Sequence, residues 1–176
     1  MTGEKRGEGF HGGGDAGGAQ HPAYDEKYAR YIALFNFRQA YYECHDEMEE
    51  LWLEEGRDPF WQGLLQATVA LHHWRGGNVS GAVKLFRGAI GKLSRYPAIE
   101  RGLNVADLLE KSERAMRTLS AWLADWRTAG GDTTKPGELP AAPPFEPFAL
   151  TVADPRLADL VSETEARLPN TEEESY

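Results

Sequence analysis

The stretch from Phe60 to Trp74, FWQGLLQATVALHHW, contains no Asp, Glu, Lys or Arg. A helix with no charged face belongs in the middle of a bundle, with neighbours on every side. At fifteen residues it falls short of the roughly 20 that a membrane span needs. Outward from it, Gly76 and Gly77 end the helix and Asn78 serves as N-cap for the next. There Val79, Ala82, Val83, Phe86, Ala89, Ile90 and Leu93 form one apolar stripe, and Pro97 stops it. Gly81, Ala82, Gly88 and Ala89 are small enough to let a neighbouring helix approach.

Upstream, Gly56 to Pro59 breaks the chain from a helix over residues 39–54 that carries YYECHDEMEELW. A first helix is expected from Pro22 to Asn36 or Phe37, with Tyr24, Tyr28, Tyr31, Ile32 and Phe35 at helical spacing. Downstream, Asn104 caps a fifth helix whose inner face is Val105, Leu108, Leu109, Met116, Leu119, Trp122 and Trp126. After Gly130 and Gly131 the sequence turns Pro-rich, KPGELPAAPPFEPF. This predicts an extended strap anchored by Phe145 and Phe148, followed by a short helix over residues 155–168.

The expected architecture is therefore all-α: a bundle of four to five helices (21–128) with a Pro-rich extended C-terminal strap and short helix (129–169). Residues 1–20, rich in Gly, and the acidic 170–176 carry too little apolar surface to offset ordering entropy, so both are expected to be disordered. A chain of 176 residues can bury about 70% of its unfolded surface without a disulfide or structural metal.

The net charge of -9 argues against nucleic acid as a partner, because such binding draws on Lys and Arg at phosphates. The first twenty residues have no apolar stretch of the secretory-leader type. Together with the single Cys44, read as a buried reduced thiol, this points to the cytoplasm and away from membranes. A nucleophilic role for Cys44 is disfavoured, since adjacent His45 diverges from it on a helix.

Chemistry is best sought on the second and third helices. Counting from His45, the side chains of Tyr41, Tyr42, Met48, Glu49 and Trp52 lie within about 60°. Glu43, Glu47, Glu50 and Glu54 fall opposite, as a solvated acidic face. A carboxylate at Glu49 among aromatic residues must find a partner, and His45 is the nearest. On the third helix Gln62, Gln66, Val69 and His73 share a stripe, while His72 lies on another. The economical arrangement joins His45 and Glu49 to Gln62, Gln66 or His73, with Arg75 as a further partner. In that arrangement Glu49→Ala should be destabilising, because it strands a buried donor. Alternatively His45 and Glu49, at i and i+4, share a divalent metal ion that His72 or His73 completes.

The run from Leu34 to Leu93 resembles the bacterial and archaeal domain of unknown function family 309. The pieces that carry the resemblance are Phe35-Asn36, YYECHDEMEELW, WQGLLQATVALHH and RGGNVSGAVKLF. The family's Glu-x-His, later Glu and Trp fall on Glu43, His45, Glu49 and Trp52. Its two Gln, His and Gly-Asn fall on Gln62, Gln66, His72 or His73, and Gly77-Asn78. The family pattern has Glu where this chain has Asp46. The resemblance implies a helical bundle and, from the family's description as predicted metal-dependent hydrolases, an enzyme. In that enzyme the metal lowers the pKa of a bound water, and Glu43 or Asp46 serves as general base. The competing expectation is a binding or interaction module, with a protein or small-molecule partner or a second copy, because helix pairs joined by short loops make grooves.

Overall fold

The computed structural model describes residues 24–131 and 141–170. The expectations for the Gly-rich arm, for Pro22 and for residues 171–176 lie outside them, as does the 132–140 part of the strap. The described residues form the all-α bundle that the periodicity predicts. Helix α1 (Glu26–Ala33) is capped by Asp25, whose carboxylate accepts the Lys27 amide. It runs directly into a π turn (Leu34–Arg38), which closes on Gln39 at φ 49°. Helix α2 is Tyr41–Glu54. Helix α3 (Pro59–Arg75) starts on an Asp58 cap with Pro59 at its first position, where a missing N–H costs nothing. Helices α4 (Val79–Leu93) and α5 (Val105–Thr128) begin on Asn78 and Asn104, whose side chains accept the Gly81 and Asp107 amides.

Helix α3 is the central element, as its uncharged sequence requires. Phe60, Trp61, Leu64, Ala67, Ala70, Leu71 and Trp74 are all buried along it. It meets α4 closely because glycines sit at the contact. A Cβ on Gly63 would lie 2.8 Å from Leu93 Cγ, and one on Gly88 would lie 2.8 Å from Gln66 Oε1. Thr68, fully buried, hydrogen-bonds Tyr31 Oη of α1 at 2.9 Å and its own turn at Leu64, so the one hydroxyl pair at the α1–α3 contact is satisfied.

A two-stranded hairpin, β1 (Ile99–Glu100) and β2 (Leu103–Asn104), was not expected. Strands this short leave no alternating pattern to read. Its turn residues Arg101 and Gly102 have φ of 49° and 76°, the left-handed pair of a two-residue hairpin. The strap joins this hairpin: Asn104 N–H donates to Thr151 O at 2.8 Å and Ala153 N–H to Gly102 O at 2.7 Å. Helix α6 (Pro155–Arg167), capped by Asp154, then packs back on α1. It is the short helix expected from the sequence.

Asp58 ties the hairpin to the start of α3. Its carboxylate accepts from the Phe60 amide, from Tyr96 Oη at 2.9 Å and from the Arg101 guanidinium. That guanidinium also lies over the rings of Phe60 and Trp61 at 4.6 and 4.8 Å. Burial alone would raise the Asp58 pKa, but these hydrogen bonds together outweigh it and hold the carboxyl below its ordinary range. The unfolded chain then binds the proton more readily than the folded one. Stability from Asp58 is present above about pH 4 and lost as pH falls through the depressed folded pKa. Asp58→Asn should flatten this limb: in urea titrations repeated below neutrality, the wild type loses stability more steeply than the variant. Equal slopes would remove Asp58 from the acid response.

Candidate functional site on the second and third helices

The buried stripe of α2 is Tyr41, Cys44, Met48 and Leu51, each at most 1% exposed. The sequence reading centred the inner face on His45 by counting Tyr42 as inward, but Tyr42 is 67% exposed. Cys44 is buried, as its reading as a reduced core thiol expected, and burial drives its thiol pKa far upward. His45, Glu49 and Asp46 are consequently displaced to the rim, with side chains 40%, 49% and 72% exposed. Glu49 is therefore not a buried charge. His45 Nδ1 stands 3.6 Å from both the Asp46 and Glu49 carboxylates, an ion-pair distance longer than a hydrogen bond.

Nor do the α3 residues turn toward this pair. Gln66 packs on Gly88 and accepts from Lys92 Nζ at 3.1 Å, on the α4 side. His73 Nδ1 meets the Asn78 side-chain amide at 3.0 Å. Since that amide nitrogen is a donor, Nδ1 accepts and the proton sits on Nε2. Burial first, then the neighbouring His72, depresses the His73 pKa and favours this neutral ring. Arg75 donates to Gln39 O at 2.8 Å and stacks over Tyr41 at 4.7 Å. Gln62 is half-buried on the same helix. Exposed His72 also faces α2, with its ring 6.4 Å from that of Tyr42. The buried network from His45 and Glu49 to Gln62, Gln66 or His73 is thus not formed: on α3 these three lie on or beside the stripe that turns to α4.

Among the described residues no three His, Cys, Asp or Glu side chains converge to hold a metal ion. The His45–Glu49 pair offers fewer donors than the three protein ligands a catalytic zinc keeps, and no catalytic step through a metal is derived from it. Because both side chains are rim residues, Glu49→Ala and His45→Ala should each change unfolding free energy by less than about 0.5 kcal/mol. A chemical melt that shows a larger loss for either would restore the buried-network reading.

The acidic character of α2 divides in two. Arg30 pairs with Glu47 at 2.7 Å, and Lys27 bridges Glu50 and Glu54. This half is stitched to α1 rather than simply solvated, and burial raises the Glu47 pKa despite Arg30. Glu43, Asp46 and Glu49 have no Lys or Arg partner among the described residues. They form an acidic strip, one every three residues, bordered by exposed Tyr42. The sequence placed Glu43, Glu50 and Glu54 in solvent, where they are, and turned Glu49 inward, where it is not, since a wheel alone does not say which aromatic points outward.

Comparison with known proteins gives relatives without an assigned activity. The chain is 35% identical over 107 residues to the uncharacterized protein YpuF of Bacillus subtilis, covering 56% of this chain and 62% of that one. It is 26% identical over 81 residues to an uncharacterized protein of Aquifex aeolicus, covering 44% of this chain and 24% of that one. The chain thus spans less than two thirds of the length of these relatives. No solved structure matches it. The model of the family described as domain of unknown function (DUF309) matches residues 28–85, from Tyr28 in α1 to Leu85 in α4, the segment that holds the whole α2–α3 surface.

Proposed function

We propose that this chain is a protein-interaction module of the cytoplasm that holds a positively charged partner against the rim of α2. One observation carries the reading: Glu43, Asp46 and Glu49 stand unpaired by Lys or Arg among the described residues, beside the exposed ring of Tyr42. Exposed carboxylates that serve no fold contact steer cationic surfaces, and an exposed Tyr supplies contact area with a polar tip. No helix among the described residues is long and apolar enough to cross a membrane. The buried Cys44 suits a reducing compartment.

The test is site-specific photo-crosslinking in the source cells, with a photoreactive residue at position 42 and a control at Arg117 on α5. A defined protein adduct at position 42 is expected, absent from the control and lost in the Glu43→Lys, Asp46→Lys, Glu49→Lys triple variant. Identical adducts at both positions, or adducts that survive charge reversal, would sink the reading. The metal-dependent hydrolase that the family resemblance implies uses the same residues. It has its own readout: the His45 and His72 ring resonances in a zinc titration. Saturable shifts of both at one zinc per chain would put the hydrolase ahead of the interaction module.

A further inference from the structure

Residues 141–153 carry no helix and only one ladder contact, the Val152–Leu103 bridge. They are held in the way a bound peptide is held. Their main chain is read by side chains of the bundle. The Asn36 amide takes the Leu150 N–H on Oδ1 at 2.7 Å and donates Nδ2 to the Leu150 carbonyl at 2.9 Å. Trp74 Nε1 donates to Pro143 O at 3.0 Å, and Lys111 Nζ donates to Ala149 O at 2.9 Å. Two aromatic side chains fill the groove below. The Phe145 ring lies edge-on to Tyr41 and Trp74, 6.1 and 5.5 Å away. Phe148 tilts against Phe35 and Phe86 at 6.1 and 6.4 Å. Between them Glu146 and Pro147 face solvent.

An aromatic-walled groove with an indole N–H aimed at a carbonyl of a proline-rich stretch is the physical arrangement by which Pro-rich peptides are recognised. Pro143, Pro144 and Pro147 lower the entropy cost of holding the chain extended. Of the groove residues, Phe35, Asn36, Tyr41 and Trp74 lie within residues 28–85, the part matched by the family, whereas Phe86, Lys111 and the occupant lie outside it. We propose that this groove is a docking site for an extended, Pro-rich partner peptide with Phe at positions i and i+3, and that residues 143–150 are its tethered, exchangeable ligand. This is a different surface from the α2 rim and does not depend on it.

Tethering sets the competition. A segment joined by a short linker acts at an effective concentration of about 1 mM, so a free peptide of equal affinity must approach that concentration to displace it. Weakening the tethered copy should therefore uncover the site. The probe is a fluorescein-labelled peptide of residues 141–153, followed by anisotropy on the full chain. The Phe145→Ala, Phe148→Ala double variant should bind it at least tenfold more tightly than wild type. Phe145→Ser alone, a milder lesion at the half-exposed anchor, should bind it with intermediate affinity. Adding Trp74→Phe, which deletes the indole donor, should weaken the peptide again. A variant that melts cooperatively yet binds no peptide up to the millimolar range overturns the proposal, as does equal binding by wild type and variants. If neither strap variant melts cooperatively, the strap is core rather than ligand, and the proposal falls. A variant that dimerises through the groove and excludes the peptide would instead assign the site to strap exchange between copies.

Discussion

Phe35→Ala should destabilise the protein by about 4 kcal/mol, in the range for deleting a buried aromatic ring. Phe35 is 1% exposed and stands where three parts of the chain meet. Its ring contacts Tyr31 of α1 at 6.0 Å, Tyr41 of α2 at 5.3 Å in an edge-on arrangement, and Phe148 of the strap at 6.1 Å. Two of these neighbours resist collapse into the vacated volume, because Tyr31 is tied to Thr68 and Phe148 is tied through the strap backbone. Urea unfolding followed by tryptophan fluorescence measures the loss. A cost below about 1.5 kcal/mol would mean that the site repacks, and that the cluster is softer than its geometry suggests.

Asn36→Leu should cost about 2 to 3 kcal/mol, through a different route. The leucine is nearly isosteric, so little volume changes, but the Leu150 N–H and C=O both lose their partner in a half-buried place, and each stranded group costs about 1–3 kcal/mol. The consequence should be local. Hydrogen exchange at Leu150 and Thr151 is expected to accelerate before that of α3, which keeps its own ladder. Equal acceleration throughout the bundle would show that the strap and bundle unfold as one unit. Phe35 and Asn36 are adjacent, and the resemblance had singled them out as a pair. The structure assigns one to the core and the other to the strap.

Much of the architecture was legible because this chain marks its helix ends with side-chain chemistry. Asp58, Asn78 and Asn104 each accept an amide of the first turn they precede, and each was flanked by a Gly or Pro break or opened an apolar stripe. The anchors Phe145 and Phe148 were legible for a related reason: in a Pro-rich stretch they are the only aromatic groups available to bury. The candidate site was not legible. Cys44 was rightly read as buried, but the wheel for the inner face of α2 was centred on its neighbour His45, with Tyr42 counted inward. Tertiary packing centres that face on Cys44, whose Sγ lies 3.5 Å from the Tyr31 carbonyl oxygen. That shift of one position moved His45 and Glu49 from the interior to the rim. The hairpin and the Asp58–Tyr96–Arg101 cluster escaped for want of any periodic signal.

The π turn over Leu34–Arg38 acts as a phase shifter. Its ladder takes up one more residue per turn than an α-helix, so side chains beyond it lag by about 100° from where an uninterrupted wheel would put them. Within the turn the Phe35 ring meets Tyr31, Tyr41 and Phe148, and the Asn36 amide holds the Leu150 backbone. Removing one residue here would leave a more regular helix and a worse protein. Such a deletion would relax the local geometry while putting every downstream contact of α2 out of step with α1, so the segment is a place where length is constrained more tightly than composition.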